Sequence, residues 1–324
     1  MIRNKGTDQG KAMVALIIVL SVIAVVVLAL GVLIVLVTDT DEERKELLSS
    51  NVCGYVESLD ETERMELIDK ARDMEYPVNW PMLWIVVKRV NADGKNEAGK
   101  KVHVDVTMSD READYLLYDL SARFSDRVRE YTDGLVNVEI TPLQYDEVNY
   151  LNDDLNCLEA ESFDNIKDMF PEYNSVMCIA RYEDDDNDLQ LFHDWLGLGC
   201  LRVYDGNYSF SQVKTDGIPS YKQDSYLALF DDNPVPEEGT IHEWLHSFED
   251  FETVMMDCDG NPDEAQKHGY ECMTSFGANG FYEYYRDLLN GRVWDENKQT
   301  YVGMNEDLWR TYAMLMDMAR GKAN

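Results

Sequence analysis

The segment His242-Glu243-Trp244-Leu245-His246 places two imidazoles four residues apart, with a carboxylate directly after the first. On a helix, residues i and i+4 share one face, so two rings at this spacing can close on a single ion. Neutral imidazole nitrogens suit zinc, and a carboxylate in the second position reaches a water on the metal without itself binding the ion. His242 and His246 are therefore candidate zinc ligands, and Glu243 is the candidate general base. The chain has five histidines in 324 residues, so the pattern is not a by-product of a histidine-rich composition.

A helix must hold these groups, and the flanking residues predict one. Ile241, Leu245, Phe248 and Phe251 recur at helical spacing and form an apolar face, while His242, His246 and Glu249 follow the same spacing on another face. One face packs and the other can hold metal. Pro234, Pro236 and Gly239 punctuate the chain upstream, and Thr240 is the expected helix cap.

A catalytic zinc takes three protein ligands and keeps one position open, so a third donor must come from another segment. Lys267-His268-Gly269-Tyr270-Glu271 follows a turn-rich loop that can fold back over the motif helix. His268 is the preferred third ligand, Glu271 is the alternative, and Glu249, Glu252 and Glu283 remain open. Glu249, one turn beyond His246, fits better as an acceptor that orients an imidazole. His103, on the polar side of a strand, and His193, beside Phe192 and Trp195, are expected to be structural.

Residues 12–37 contain no charged side chain and are almost wholly Ala, Val, Ile, Leu, Met and Gly. As a helix they would extend about 39 Å, longer than a hydrocarbon core of roughly 30 Å. Arg3, Lys5 and Lys11 precede the run, and Asp39, Asp41, Glu42 and Glu43 follow it. The positive-inside bias predicts a single-pass anchor in the cell membrane, with residues 1–11 cytoplasmic and the C-terminal domain extracellular. The net charge of -34, from 29 basic and 63 acidic residues, argues against nucleic acid and anionic lipid surfaces as main partners. The six cysteines, Cys53, Cys157, Cys178, Cys200, Cys258 and Cys272, all follow the apolar run, where an oxidising compartment permits disulfides. Cys258 with Cys272 is the one pairing the loop length suggests, and free buried thiols are the alternative.

Residues 38–80 are highly charged with periodic Leu and Met, and predict a juxtamembrane helical segment closed by Pro77 and Pro81. The main domain is then expected over residues 81–324. Within it Met82 to Val90 has strand character, Asn91 to Lys101 a polar turn, and Lys101 to Met108 alternates like a strand with one buried face. Ser109 and Glu112 form a capping box for a helix through Ala113, Leu117, Leu120, Phe124, Val128 and Tyr131, which Asp133-Gly134 ends. Leu135 to Thr141 is the next strand, so residues 101–141 read as a βαβ unit with parallel neighbours. Ser175 to Arg181, Cys200 to Tyr204 and Tyr226 to Phe230 are further strand candidates, and the motif helix follows the last. The acidic run Glu183 to Asp188 offers clustered oxygens that suit Ca2+, though a solvated loop is the simpler reading.

A mixed sheet followed by a helix carrying His242-Glu243-x-x-His246 resembles the N-terminal subdomain of the zincin metallopeptidases. The layout of the likeness runs from Met82 to Asn290, and its specific part is the histidine motif. Glu249 and Glu252 stand where metzincins place a glycine and a third histidine, which separates the chain from that branch. The resemblance implies an α+β fold, with a transmembrane helix ahead of a zincin-like domain and a mainly helical C-terminal part. It implies a Tyr226–Phe230 strand as the edge of the cleft and one catalytic Zn2+. The activity implied is hydrolysis of a polypeptide substrate by a zinc-activated water, with Glu243 as base. Peptide hydrolysis develops an oxyanion, and several zincins meet it with a tyrosine, so Tyr285 and Tyr282 are candidate catalytic donors. The rival expectation is a catalytically inactive zincin-like surface module that binds a partner; the intact Glu243 argues against it.

Overall fold

Trp80, Met82, Leu83, Trp84, Ile85 and Val86 are fully buried in one strand, β1 (Val78–Val87), so both of its faces must be covered by other layers. The computed structural model of the protein describes residues 44–96, 98–152, 155–182, 197–199, 207–215, 237–248, 251, 255, 281–295 and 299–321. The chain divides into two compact units, Met1–Leu47 and Leu48–Asn324. Of the first, residues 44–47 are described and are helical. The anchor expected at 12–37 lies outside the described residues. Among the described residues no helix is long and apolar enough to cross a membrane.

The second unit is a mixed α/β fold. Its main sheet has the order β4-β1-β5-β7-β6, with β4 (Val136–Tyr145), β5 (Ser175–Ala180) and β7 (Ser209–Lys214) running parallel to β1. The short β6 (Gly197–Gly199) pairs antiparallel with β7 at one edge. Alternation along β1 divides the core: Trp80, Met82, Trp84 and Val86 enter one cluster, and Leu83, Ile85 and Val87 the other. The strand starts earlier than its apolar run suggests and passes through Pro81. Proline is accommodated there because pairing with β5 begins only at Met82.

The βαβ unit is assembled differently from the sequence expectation. β3 (Lys101–Thr107) forms an antiparallel hairpin with β2 (Arg89–Lys95), which takes up the first part of the expected polar turn, and the parallel neighbour of β4 is β1. The reason is burial: β3 buries one face only, through Val104 and Val106, whereas β1 is apolar on both and takes the interior position. Val90, Ala92, Val104 and Val106 of the hairpin close the second core cluster.

Helix α3 (Asp110–Asp114) begins where Ser109 accepts a bond from the Glu112 amide at 3.2 Å. It continues through a π-helical turn, Tyr115–Leu120, into α4 (Ser121–Tyr131). Ala113, Leu117, Leu120, Phe124, Val128 and Tyr131 are all buried, as their spacing predicts. Asp133 and Gly134 end the helix with positive φ of 52° and 82°. The charged segment before β1 contains α1 (Val52–Glu57) and α2 (Glu61–Ala71). Val52 and Val56 are fully buried in the same core cluster as Trp80, so this segment is part of the packed unit, and a boundary at residue 80 falls inside β1. The strands expected at Cys200–Tyr204 and Tyr226–Phe230, the acidic run 183–188 and the Cys258–Cys272 pair lie outside the described residues. Cys178 is a buried free thiol.

Candidate functional site

The motif occupies α5 (Glu238–Leu245), with His246 as the residue that closes it. The helix begins before Thr240, which corrects the expected cap. Glu237 precedes the first turn, and Thr240 lies inside it with its hydroxyl donating back to the Glu237 carbonyl at 2.6 Å. The buried Glu237 carboxylate accepts from Nε of Arg127 at 3.0 Å, which ties the start of α5 to α4. Burial works against the charge of Arg127, but the bond to Glu237 and the nearby Tyr131, Glu237 and Glu130 together hold its pKa above the ordinary value.

One face of α5 is seated on the sheet by aromatic packing. Trp244 meets Trp80 edge-on at 5.8 Å and Phe124 at 5.7 Å between ring centroids, and stacks on Trp309 of the C-terminal helix at 5.8 Å. Ile241, Leu245, Phe248 and Phe251 are buried with it, as predicted. Hydroxyls fix the height of the helix over the sheet. Ser211 of β7 donates to the Glu243 carbonyl at 2.9 Å, and Ser209 Oγ lies 2.6 Å from Ser247 Oγ. Tyr312 of α7 (Glu306–Ala319) donates to the Ser247 carbonyl at 2.9 Å.

The opposite face carries the chemistry. The ring centroids of His242 and His246 are 5.8 Å apart, and the Glu243 carboxylate is buried beside them, with Oε2 at 3.9 Å from Nε2 of His246. Tyr285, fully buried on α6 (Phe281–Leu288), places its hydroxyl 2.6 Å from Nδ1 of His242. That contact orients the ring and leaves Nε2 as the nitrogen for a metal, which is the common arrangement of a ligand histidine with an outer partner. Tyr282 belongs to the same helix, and its side chain lies outside the described residues, as do His193, Glu249, Glu252, His268, Glu271 and the side chain of Glu283. Among the described residues no three His, Cys, Asp or Glu side chains are grouped so as to hold a metal. His242 and His246 fit as two of the three protein ligands that a catalytic zinc takes. His103 is exposed on β3, with Nδ1 at 2.9 Å from Asp93 Oδ1, in keeping with a structural role.

Two strands that build this arrangement are not marked by the sequence. Ser-Phe-Ser-Gln-Val-Lys, residues 209–214, looks polar, yet every residue of β7 is buried. Gln212 accepts from the Leu158 amide at 2.9 Å and donates to its carbonyl at 2.7 Å, so its burial is matched by hydrogen bonds. Apolar Phe210 and Val213 fall on opposite faces of the strand, so no period-two pattern marks it in the sequence. β6 is the second: among the described residues it is the sheet edge beside α5, next to Glu243 and His246. No protein-family model, curated protein or solved structure matches the chain.

Proposed function

We propose that the protein is a zinc peptidase of zincin type, carried on a single membrane anchor with its catalytic unit outside the cell. The observation that supports this reading is the joint placement of His242, Glu243 and His246: two imidazoles on one side of α5, a buried carboxylate between them in sequence, and Nδ1 of His242 already engaged by Tyr285.

Zinc, when bound, supplies Lewis acidity toward a scissile carbonyl and lowers the pKa of a water. The rest of the work falls to the chain. Glu243 takes the proton of the attacking water on its carboxylate and returns it to the leaving amine nitrogen. Trp244 and the serine contacts keep the helix still while this happens, and Tyr285 holds the His242 ring in one orientation.

Metal analysis of the purified chain, with a peptide-library digest, tests the proposal. About one zinc per chain is expected. Replacing either histidine by alanine should abolish its retention, while Glu243→Gln should retain zinc and lose turnover by orders of magnitude. Full zinc occupancy in the double histidine variant, or unimpaired cleavage by Glu243→Gln, would overturn the assignment.

A further inference from the structure

We propose that Gly197 and Gly199 are positioning residues of this site, their missing side chains letting β6 lie directly on Glu243 and His246 and hold both groups in place. The inference rests on the reading of α5 as the active helix. A methyl group added at Gly197 would come within 2.5 Å of Cγ and Cδ of Glu243 and closer still to Oε1. At Gly199 it would meet Cγ of His246 at 2.5 Å and Cβ at 2.6 Å, with Cδ2 nearer again. No ordinary van der Waals contact is that short, so neither position can carry a side chain while the helix groups stay where they are.

The register makes the arrangement directional. Gly197 pairs with Val213 and Gly199 with Ser211, the β7 residues whose side chains turn toward α5. Leu198 between them packs into the core cluster on the opposite side of the sheet. Alternation therefore aims two hydrogen-only positions at the motif and one leucine away from it. Glutamate and histidine would otherwise sample several rotamers, and backbone pressed against both limits them. The same strand thus acts on the base through Gly197 and on a metal-binding ring through Gly199.

The test uses the full chain and two independent readings. For Gly197 it is a double-mutant cycle with Glu243→Ala on thermal stability, which needs no metal. Gly197→Ala should lower the melting temperature by about 2 to 10 °C in the parent chain and by much less in the Glu243→Ala background, where the obstructing atoms are gone. Equal shifts in both backgrounds would overturn the proposed contact. For Gly199 the readings are zinc affinity and the visible spectrum of the cobalt-substituted chain. Gly199→Ala should weaken zinc binding about 10- to 100-fold and alter the cobalt spectrum, with Leu198→Val changing neither. Unchanged affinity in Gly199→Ala, or an equal loss in Leu198→Val, would overturn the positioning role. Should Gly199→Ala fail to fold, His246→Gly must restore folding, since the ring and Cβ are the atoms in the way; failure to restore counts against the proposal. A parent chain that binds no zinc sinks the peptidase reading, while the stability cycle still decides whether β6 rests on Glu243.

Discussion

The hydroxyl of Tyr285 lies 2.6 Å from Nδ1 of His242, joining α6 to the first histidine of the motif across 43 residues of chain. With Nδ1 donating to the phenol oxygen, the lone pair of Nε2 is left for a metal. The zincin resemblance makes Tyr285, with Tyr282, a candidate donor to the reacting oxyanion; this geometry gives the Tyr285 hydroxyl a partner on the His242 ring.

The two roles for Tyr285 separate in one variant. Tyr285→Phe keeps the buried ring and removes the hydroxyl. If Tyr285 acts through His242, zinc affinity falls about 10- to 100-fold, as is typical when an outer partner of a ligand is lost. Zinc competition with a chromophoric chelator measures this. Unchanged affinity with a reduced kcat would instead place the phenol on the substrate.

The third zinc ligand is expected to be His268. His268→Ala should then weaken zinc binding severely, and Glu271→Ala should leave it nearly intact. The opposite result, with Glu271→Ala alone releasing the metal, would make the set His-His-Glu. That set lowers the net charge of the site and makes zinc a weaker Lewis acid than three imidazoles would.

Cys178, fully buried on β5, should be inert to thiol reagents in the native protein and react only on unfolding. Burial in the apolar core pushes its thiol far above the ordinary value of 9.0. The unfolded chain then releases this proton first as pH rises, so the contribution to stability is present below pH 9.0 and falls above it. By pH 10 the accumulated loss is about 1.4 kcal/mol for one group. Urea unfolding at pH 8 and pH 10 should show the parent chain losing more stability than Cys178→Ala. An equal loss in both would contradict this account.

The proposed membrane orientation rests on Arg3, Lys5 and Lys11 ahead of the apolar run and the acidic cluster after it. Protease added to intact cells should remove the C-terminal unit while a cytoplasmic marker survives. Survival of both would reverse the topology.

What the sequence determined by itself is local. The helix over the motif, the burial of Ile241 and Leu245 on one of its faces, and the shared side of His242 and His246 follow from helical period, whereas the helix closes at His246 and does not run on to Phe251 as that period suggests. The buried face of Ala113 to Tyr131 and its stop at Asp133-Gly134 were legible for the same reason. Tertiary structure decided which strands meet. β3 has the same alternation whether it joins the main sheet or a hairpin, and only the demand of β1 for cover on both faces settles the matter. The polar β7 became an interior strand because Ser209, Ser211 and Gln212 find partners on segments between 32 and 54 residues away. Gly197 and Gly199 carry no side chain to form a pattern, so their closeness to Glu243 and His246 exists only once β6 has paired with β7 and α5 has docked on the sheet.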